Sequence, residues 1–383
     1  ARACPLAPRA ARPAAPAGWP DRASASARWC HLTNAPARPV ISAICDTNAG
    51  LFDWYKKNFD SITQFTGDYH ELLKNPQIEA VYCALPHNLH KTVYCDIISA
   101  RKHLLGEKPF GIDKAANDAI VECCRRHSDV FVRCSSEFPF YPAVQRIGEM
   151  IETNAFGRII EATSCFLHSS DLDVNKPINW KRMIEVNGEY GCMGDLGMHA
   201  CHVPFRAGWV PQNVRAILCD IVPQRPDGKG GVAPCRTWDN ATLLCQARDE
   251  TGWEFPLTIK THRIAPGQKD TWSLEILGTK ASARFSTKNP RLLEVLEYTG
   301  GEQAWRQIDM GYESAFAAIT GGIFEFGFTD AILQMWASFV SELVEGKPKS
   351  RFAGCVTPAE SALSHRLFTA ALASQKNAST ETV

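Results

Sequence analysis

Several things are missing from this chain, and each absence removes a class of function. No run approaches the ~18 consecutive apolar residues that cross a bilayer, so no membrane span and no membrane partner are expected. Neither sign of charge is in surplus, since 41 basic and 41 acidic residues give a formal net charge of zero. Six arginines and a single acid, Asp21, fall within residues 1–40, which leaves the rest of the chain at −5. A mildly acidic body offers no electrostatic footprint for nucleic acid. None of the 15 cysteines forms a CxxC pair, and Cys45, Cys83, Cys134, Cys165 and Cys219 are scattered, mostly inside apolar runs. That pattern favours buried reduced thiols over disulfides or a zinc cage, and hence a reducing, cytoplasmic compartment.

One further absence is local. Residues 41–52 read "ISAICDTNAGLF", an apolar run ending in Cys45-Asp46 with a helix-like segment behind it. This is the form of the second strand of a dinucleotide-binding fold, with an acid placed for a ribose and Thr47 beside it. A first strand and a GxGxxG turn should precede it. The chain instead opens "ARACPLAPRAARPAAPAGWPDRASASAR", rich in Ala, Pro and Arg, with five prolines by position 20 and Gly18 as its one glycine. Residues 1–28 therefore read as a disordered segment lacking the first strand and the glycine loop. Its arginines and serines loosely suit a transit peptide, but the prolines would break the helix such peptides form. A shifted reading frame is the preferred account.

What is present is regular. Strand-like runs at 40–45, 79–85, 102–106 and 130–134 alternate with helix-like runs near 50–59, 89–100 and 113–127, as in βαβ units with a parallel sheet. After about residue 140 the pattern changes. A helix-like stretch, "YPAVQRIGEMIETN", leads into "GRIIEATSCFLHS", then "VRAILCDIV", "ATLLCQARD", "EFPLTIKTHR", "WSLEILGT", "SARFST" and "LLEVLEYT". Runs of strands without helices between them predict a large, mostly antiparallel sheet in an α+β domain. Two helix-like segments, at 330–346 and 358–375, close the chain, and "PDGKGG" at 226–231 reads as a flexible loop. The expected division is 29–138 for dinucleotide binding and 139–383 for substrate and oligomer contacts.

Three stretches carry chemistry. In "ALPHNLH", residues 84–90, a buried strand ends and turns into a helix. Pro86, His87 and Asn88 would face the crevice where open α/β sheets bind ligands, with Leu85 and His90 beside them as further cofactor candidates, or the stretch simply builds a turn with Asn88 as N-cap. In "LLGEKPFGID" a second buried strand ends at Glu107-Lys108-Pro109, which would project an ammonium beside a bound nicotinamide. An isolated lysine would ordinarily be a solvated surface group. In "GEYGCMGDLGMHACH", Asp195, His199 and His202 share one face if the stretch is helical. Such a pair suits acid/base work, although from this stretch alone a capping Asp and a structural His are the favoured reading, and a metal is a further one.

Together these motifs resemble the glucose–fructose oxidoreductase, inositol dehydrogenase and MocA-like oxidoreductases. "ICDTN", "ALPHNLH", "GEKPFGID" and "GDLGMHACH" stand in that family's order and at its separations, from about residue 29 to 375. The resemblance implies an α/β Rossmann-type domain followed by the antiparallel domain, with NAD preferred over NADP. It implies hydride transfer to or from a hydroxyl carbon of a sugar, polyol or glycoside. Lys108 would stabilise the alkoxide, His199 would take the proton, and Asp195 would orient His199 or the substrate. It allows a cis Lys108–Pro109 bond and implies no metal, and it implies a homodimer or homotetramer paired through the antiparallel sheet. His168, Trp180, Lys181, Arg182, His202 and Arg263 are the substrate-pocket candidates. Two other readings stand beside it: transient NAD use in glycoside elimination or isomerisation, and a silent binding protein with a lost nucleotide loop.

Overall fold

The computed structural model describes residues 3–7 and 19–383. The N-terminal part is a six-stranded parallel sheet in the order β3-β2-β1-β4-β5-β6. Its strands are β1 (Ala3–Ala7), β2 (Ala43–Asp46), β3 (Gln64–Thr66), β4 (Ala80–Cys83), β5 (His103–Gly106) and β6 (Val132–Cys134). β2 and β4 are buried at every position, as burial on both faces of a parallel sheet demands. The helices between them are α1 (Trp19–Ala27), α2 (Phe52–Asn58), α3 (Tyr69–Lys74), α4 (His90–Ser99) and α5 (Lys114–Arg126). Side chains set their starts: Asp68 accepts from the His70 amide, and Asp113 accepts from the Ala116 amide at 2.7 Å, satisfying otherwise orphaned first-turn donors.

The opening of the chain departs from the sequence reading. Ala3–Ala7 is the central strand, paired in parallel with β2 (Leu6 with Cys45) and β4 (Ala3 to Leu6 with Ala80 to Cys83). Trp19–Ala27 is the helix that follows. Neither piece is a disordered segment, and the expected missing strand is supplied by "ACPLA". Five residues are too few to show a period, and Pro5 withholds one ladder donor, which is why the segment did not read as a central strand. The glycine-loop position, residues 8–18, lies outside the described residues. β3 and α3 were also not anticipated, being only three and six residues long.

The second part begins with α6 (Pro142–Glu152) and centres on a nine-stranded sheet. Its strands are β7 (Ile159–His168), β8 (Val210–Cys219), β11 (Asn240–Arg248), β12 (Glu254–His262), β13 (Asp270–Gly278), β14 (Ala281–Ser286), β15 (Leu292–Glu297), β16 (Arg306–Asp309) and β17 (Glu381–Thr382). β7 and β12 pair in parallel and the other neighbours run antiparallel. β11 alternates buried and outward residues, the signature of a sheet with one covered face. A hairpin of β9 (Gln224–Pro226) and β10 (Val232–Pro234) stands apart. Its turn is the "PDGKGG" stretch read as a flexible loop; Asp227 Oδ1 organises it by accepting from the Lys229 and Gly231 amides at 2.7 and 3.0 Å.

The helices α7 (Ile184–Asn187), α8 (Cys192–Arg206), α9 (Phe328–Glu345) and α10 (Pro358–Asn377) complete the molecule. α8 packs on β7 and β12, α9 on α1, and α10 on β8, α8 and α5. One core cluster joins Tyr82 and Leu105 of the parallel sheet to Met335, Trp336, Phe339 and Val340 of α9. The C-terminal helices thus cross the expected boundary near residue 138 and brace the first domain. Fourteen cysteines, from Cys30 to Cys355, are free thiols. Among the described residues no helix is long and apolar enough to cross a membrane.

Candidate active site

The site is built where strand ends of the first domain meet α8 of the second. β5 ends at Gly106, where a Cβ would meet the rings of Tyr94 and Phe110 at 2.8–2.9 Å, so the strand end can pack this close to both rings because the residue is glycine. Lys108 follows, ahead of a cis bond to Pro109. Its Nζ donates to Asp195 Oδ1 at 2.7 Å and also to the Asp195 carbonyl. Lys181 Nζ donates to the same Oδ1 at 2.8 Å and to Oδ2 at 3.1 Å, and Arg263 Nη1 takes Oδ2 as well. Three cations from three elements therefore share one carboxylate. Asp195 is 1% exposed, whereas the Lys108 and Lys181 side chains keep 16% and 30% exposure: the acid lies beneath and the ammonium groups above it.

That crowding sets the charges. Burial pulls Lys108 down to about 8, with Glu107 opposing and Arg263 assisting. Lys181 also falls well below the ordinary lysine range, through burial first and then Arg263 and Lys108. Arg263 continues the network away from Asp195, pairing through Nε with Asp171 Oδ2 at 2.9 Å. Arg182 pairs with Asp171 and, at 2.6 Å, with Asp239. Burial works to raise Asp171, but Arg263 and Arg182 outweigh it and hold the carboxyl far below its usual range.

His199 lies one helical turn beyond Asp195, the spacing at which side chains on a helix neighbour each other. Ser136, just after β6, has its Oγ 3.2 Å from His199 Nδ1. The rings of Phe138 and Phe166 stand edge-on to the imidazole at 5.2 and 5.3 Å. Trp272 Nε1 donates to the His199 carbonyl at 2.9 Å. Gly197, between the two functional positions, leaves room for Phe368: a Cβ there would sit 2.4 Å from that ring.

The remaining sequence candidates divide. Asp46 is buried at the end of β2, its Oδ1 accepting from the Asn48 amide at 2.8 Å, with Thr47 exposed beside it. Leu85, Pro86 and His87 follow β4; His87 Nδ1 lies 2.9 Å from the Asn187 carbonyl, and Trp180 meets its ring edge-on at 5.0 Å. Tyr82 donates to Glu107 Oε1 at 2.6 Å. His168 pairs with Asp270 at 3.1 Å and packs on Phe166, which also touches His199. Three further candidates are buried. Arg182 is fully buried between two aspartates. His90 is fully buried, with Nε2 3.1 Å from the Leu85 carbonyl, and burial lowers it to about 4. His202 is buried with both ring nitrogens unbonded within the described residues, and burial lowers it to about 3.

Ser136, Asp171 and Asp239 were not anticipated. Ser136 had a signal, since "RCSSE" sits at a strand end like the other site motifs. The two aspartates had none, because only the fold brings residues 171, 239 and 263 together.

Comparison with known proteins accounts for this architecture. Residues 24–134 match the oxidoreductase family with an NAD-binding Rossmann fold, and residues 144–284 match the GFO/IDH/MocA C-terminal domain. The chain belongs to the Gfo/Idh/MocA family of oxidoreductases. It is 25% identical over 275 residues to levoglucosan dehydrogenase of Pseudarthrobacter phenanthrenivorans, covering 68% of each chain. It is 30% identical over 225 residues to an uncharacterized oxidoreductase of Synechocystis, covering 57% of each. Its fold matches levoglucosan dehydrogenase in complex with NADH and L-sorbose at a TM-score of 0.86, with 21% identity over 100% of this chain and 98% of that one. An oxidoreductase domain protein from Kribbella flavida matches at 0.87, with 19% identity over 99% and 98%.

Proposed function

We propose that this protein transfers a hydride between NAD(H) and a hydroxyl-bearing carbon of a sugar, polyol or glycoside. One observation carries the reading: the Lys108 ammonium at a strand end of the parallel sheet is hydrogen-bonded to Asp195, one helical turn from His199. The strand order supports a nucleotide, because its reversal lies between β1 and β4, where open α/β sheets bind ligands. The adenosine end fits Asp46, a buried carboxylate suited to ribose hydroxyls and unsuited to a 2′-phosphate, which favours NAD over NADP. When bound, the nicotinamide supplies the hydride acceptor or donor.

The chain's own groups supply the rest. Lys108 places positive charge where an alkoxide develops, usually a large term in such catalysis. His199, oriented by Ser136, accepts the hydroxyl proton. Asp195 holds Lys108 and Lys181 in register, a broader duty than orienting His199 alone. Trp180, Lys181 and His168 are the substrate contacts in this reading. The phenylalanine rings around His199 keep water from the proton transfer. The outward Ile217 and Leu244 of the antiparallel sheet, 60% and 53% exposed, support pairing of two copies there, and size-exclusion chromatography tests it.

Incubating the protein with NAD and a panel of sugars and polyols tests the function. Accumulating NADH supports a dehydrogenase, and turnover without it supports transient use of the cofactor. His199→Ala should lower the rate by about 10²–10⁴-fold, the usual contribution of a positioned base. Near-parental turnover in that variant would overturn its assignment.

A further inference from the structure

The loop that carries Lys108 is held by side chains, carbonyl by carbonyl. Tyr94 Oη donates to the Glu107 carbonyl at 2.9 Å, His365 Nε2 lies 2.7 Å from the Pro109 carbonyl, and Asn117 Nδ2 donates to the Phe110 carbonyl at 2.9 Å. The Gly111 amide donates to His90 Nδ1 at 3.3 Å, and the Tyr94 ring stacks on His90 at 4.6 Å. Phe110 sits at φ +67°, a left-handed conformation that a non-glycine residue adopts only when its surroundings impose it. Most of these restraints come from α4 and α5 of the same domain. His365 does not: it lies on α10, 256 residues further along the chain.

We infer that His365 is a positioning residue for Lys108, anchoring the peptide next to the reactive ammonium from the C-terminal helix. A carbonyl can only accept, so Nε2 carries a proton in this contact, while Nδ1 has no hydrogen-bond partner among the described residues. The neutral form is the stable one here, because burial lowers His365 to about 4. Its ring is completely buried, and Tyr190 meets it at 5.5 Å while donating to the His365 carbonyl at 3.3 Å. Asn117 Nδ2 also donates to Ser361 Oγ at 2.8 Å, one helical turn before His365. α10 therefore reaches the lysine loop directly through His365 and indirectly through Asn117, which itself donates to the Phe110 carbonyl. The ammonium position becomes a joint property of both halves of the molecule, and the last helix is part of the active-site frame. This rests on the reading of Lys108 given above.

Competitive acetylation of the full-length protein with isotope-coded acetic anhydride tests the inference without substrate or turnover. The pH midpoint of Lys108 labelling is followed by mass spectrometry. In the parent it should lie near 8, set by burial among Asp195, Lys181, Arg263, Glu107, Glu137 and Cys134. His365→Leu removes the donor, and the midpoint should rise toward the ordinary lysine value of about 10.4. His365→Gln, whose amide nitrogen can replace Nε2, should stay near the parent. In turnover the Leu variant should lose about tenfold or more in kcat with KM for NADH unchanged, since small misplacements of a reacting group are costly. A parental midpoint in His365→Leu, or equal shifts in the Leu and Gln variants, would overturn the proposal. A shift in the midpoint with no NADH-linked turnover in any variant, parent included, would instead count against the oxidoreductase reading.

Discussion

Asp171 and Asp195 are both buried, and both bind Arg263, yet they sit in unlike company. On its inner side Asp171 meets Arg182, which is fully buried and ties it to Asp239 with no exposed surface on any of the three side chains, while the partly exposed Lys176 caps its other oxygen at 3.0 Å. The Asp195 side is partly open, with two lysines whose side chains keep 16% and 30% exposure. Arginine keeps its charge in any environment, whereas lysine yields its proton when buried. The same ion-pair chemistry thus makes a fixed strut on one side and a responsive group on the other. Arg263, joined to both, links the strut to the carboxylate that holds Lys108.

The comparison can be broken most sharply at Lys108. Lys108→Met should cut kcat by about 10²–10³-fold, the loss seen when one stabiliser of a developing oxyanion is removed, while thermal unfolding stays near the parent. Arg182→Met should do the reverse. It leaves Asp171 and Asp239 without their shared buried counter-ion and should cost about 3–5 kcal/mol, read by urea unfolding. An Arg182→Met variant as stable as the parent would mean the strut is ornamental.

A smaller effect sharpens the comparison through pH. If the Lys108 ammonium stabilises the alkoxide, activity requires its charged form. Its folded-state value is lowered to about 8, so kcat/KM for alcohol oxidation should fall as pH rises through about 8. Lys108→Arg, unable to lose its proton in this range, should retain whatever activity it has to higher pH. The smallest effect concerns the nucleotide. NADH should bind about tenfold or more tighter than NADPH, and Asp46→Ser should narrow that gap. Equal affinities in the parent would remove Asp46 from cofactor choice.

Much of this was legible in the sequence for physical reasons. Buried parallel strands must be short apolar runs, so the ends at Asp46, Leu85 and Glu107 could be read directly. The succession of strand-like runs without helices between them exposed the second sheet equally well. The α8 periodicity placed Asp195 and His199 together, but it could not separate His199 from His202, because helical spacing says nothing about what covers each turn. Arg182 stood among the pocket candidates; its partners, Asp171 only 11 residues before it and Asp239 much further on, are brought to it only by folding. His365 was invisible for the same reason, a long helix returning to a loop far back in the chain. "ACPLA" was missed because a strand defined by its neighbours need carry no pattern of its own.

The most direct measurement is a crystal structure of the protein grown with NADH. The account predicts the adenosine ribose against Asp46 and the nicotinamide C4 facing the gap between Lys108 Nζ and His199. A nicotinamide ring bound away from both side chains, with Lys108 still closed on Asp195, would contradict it.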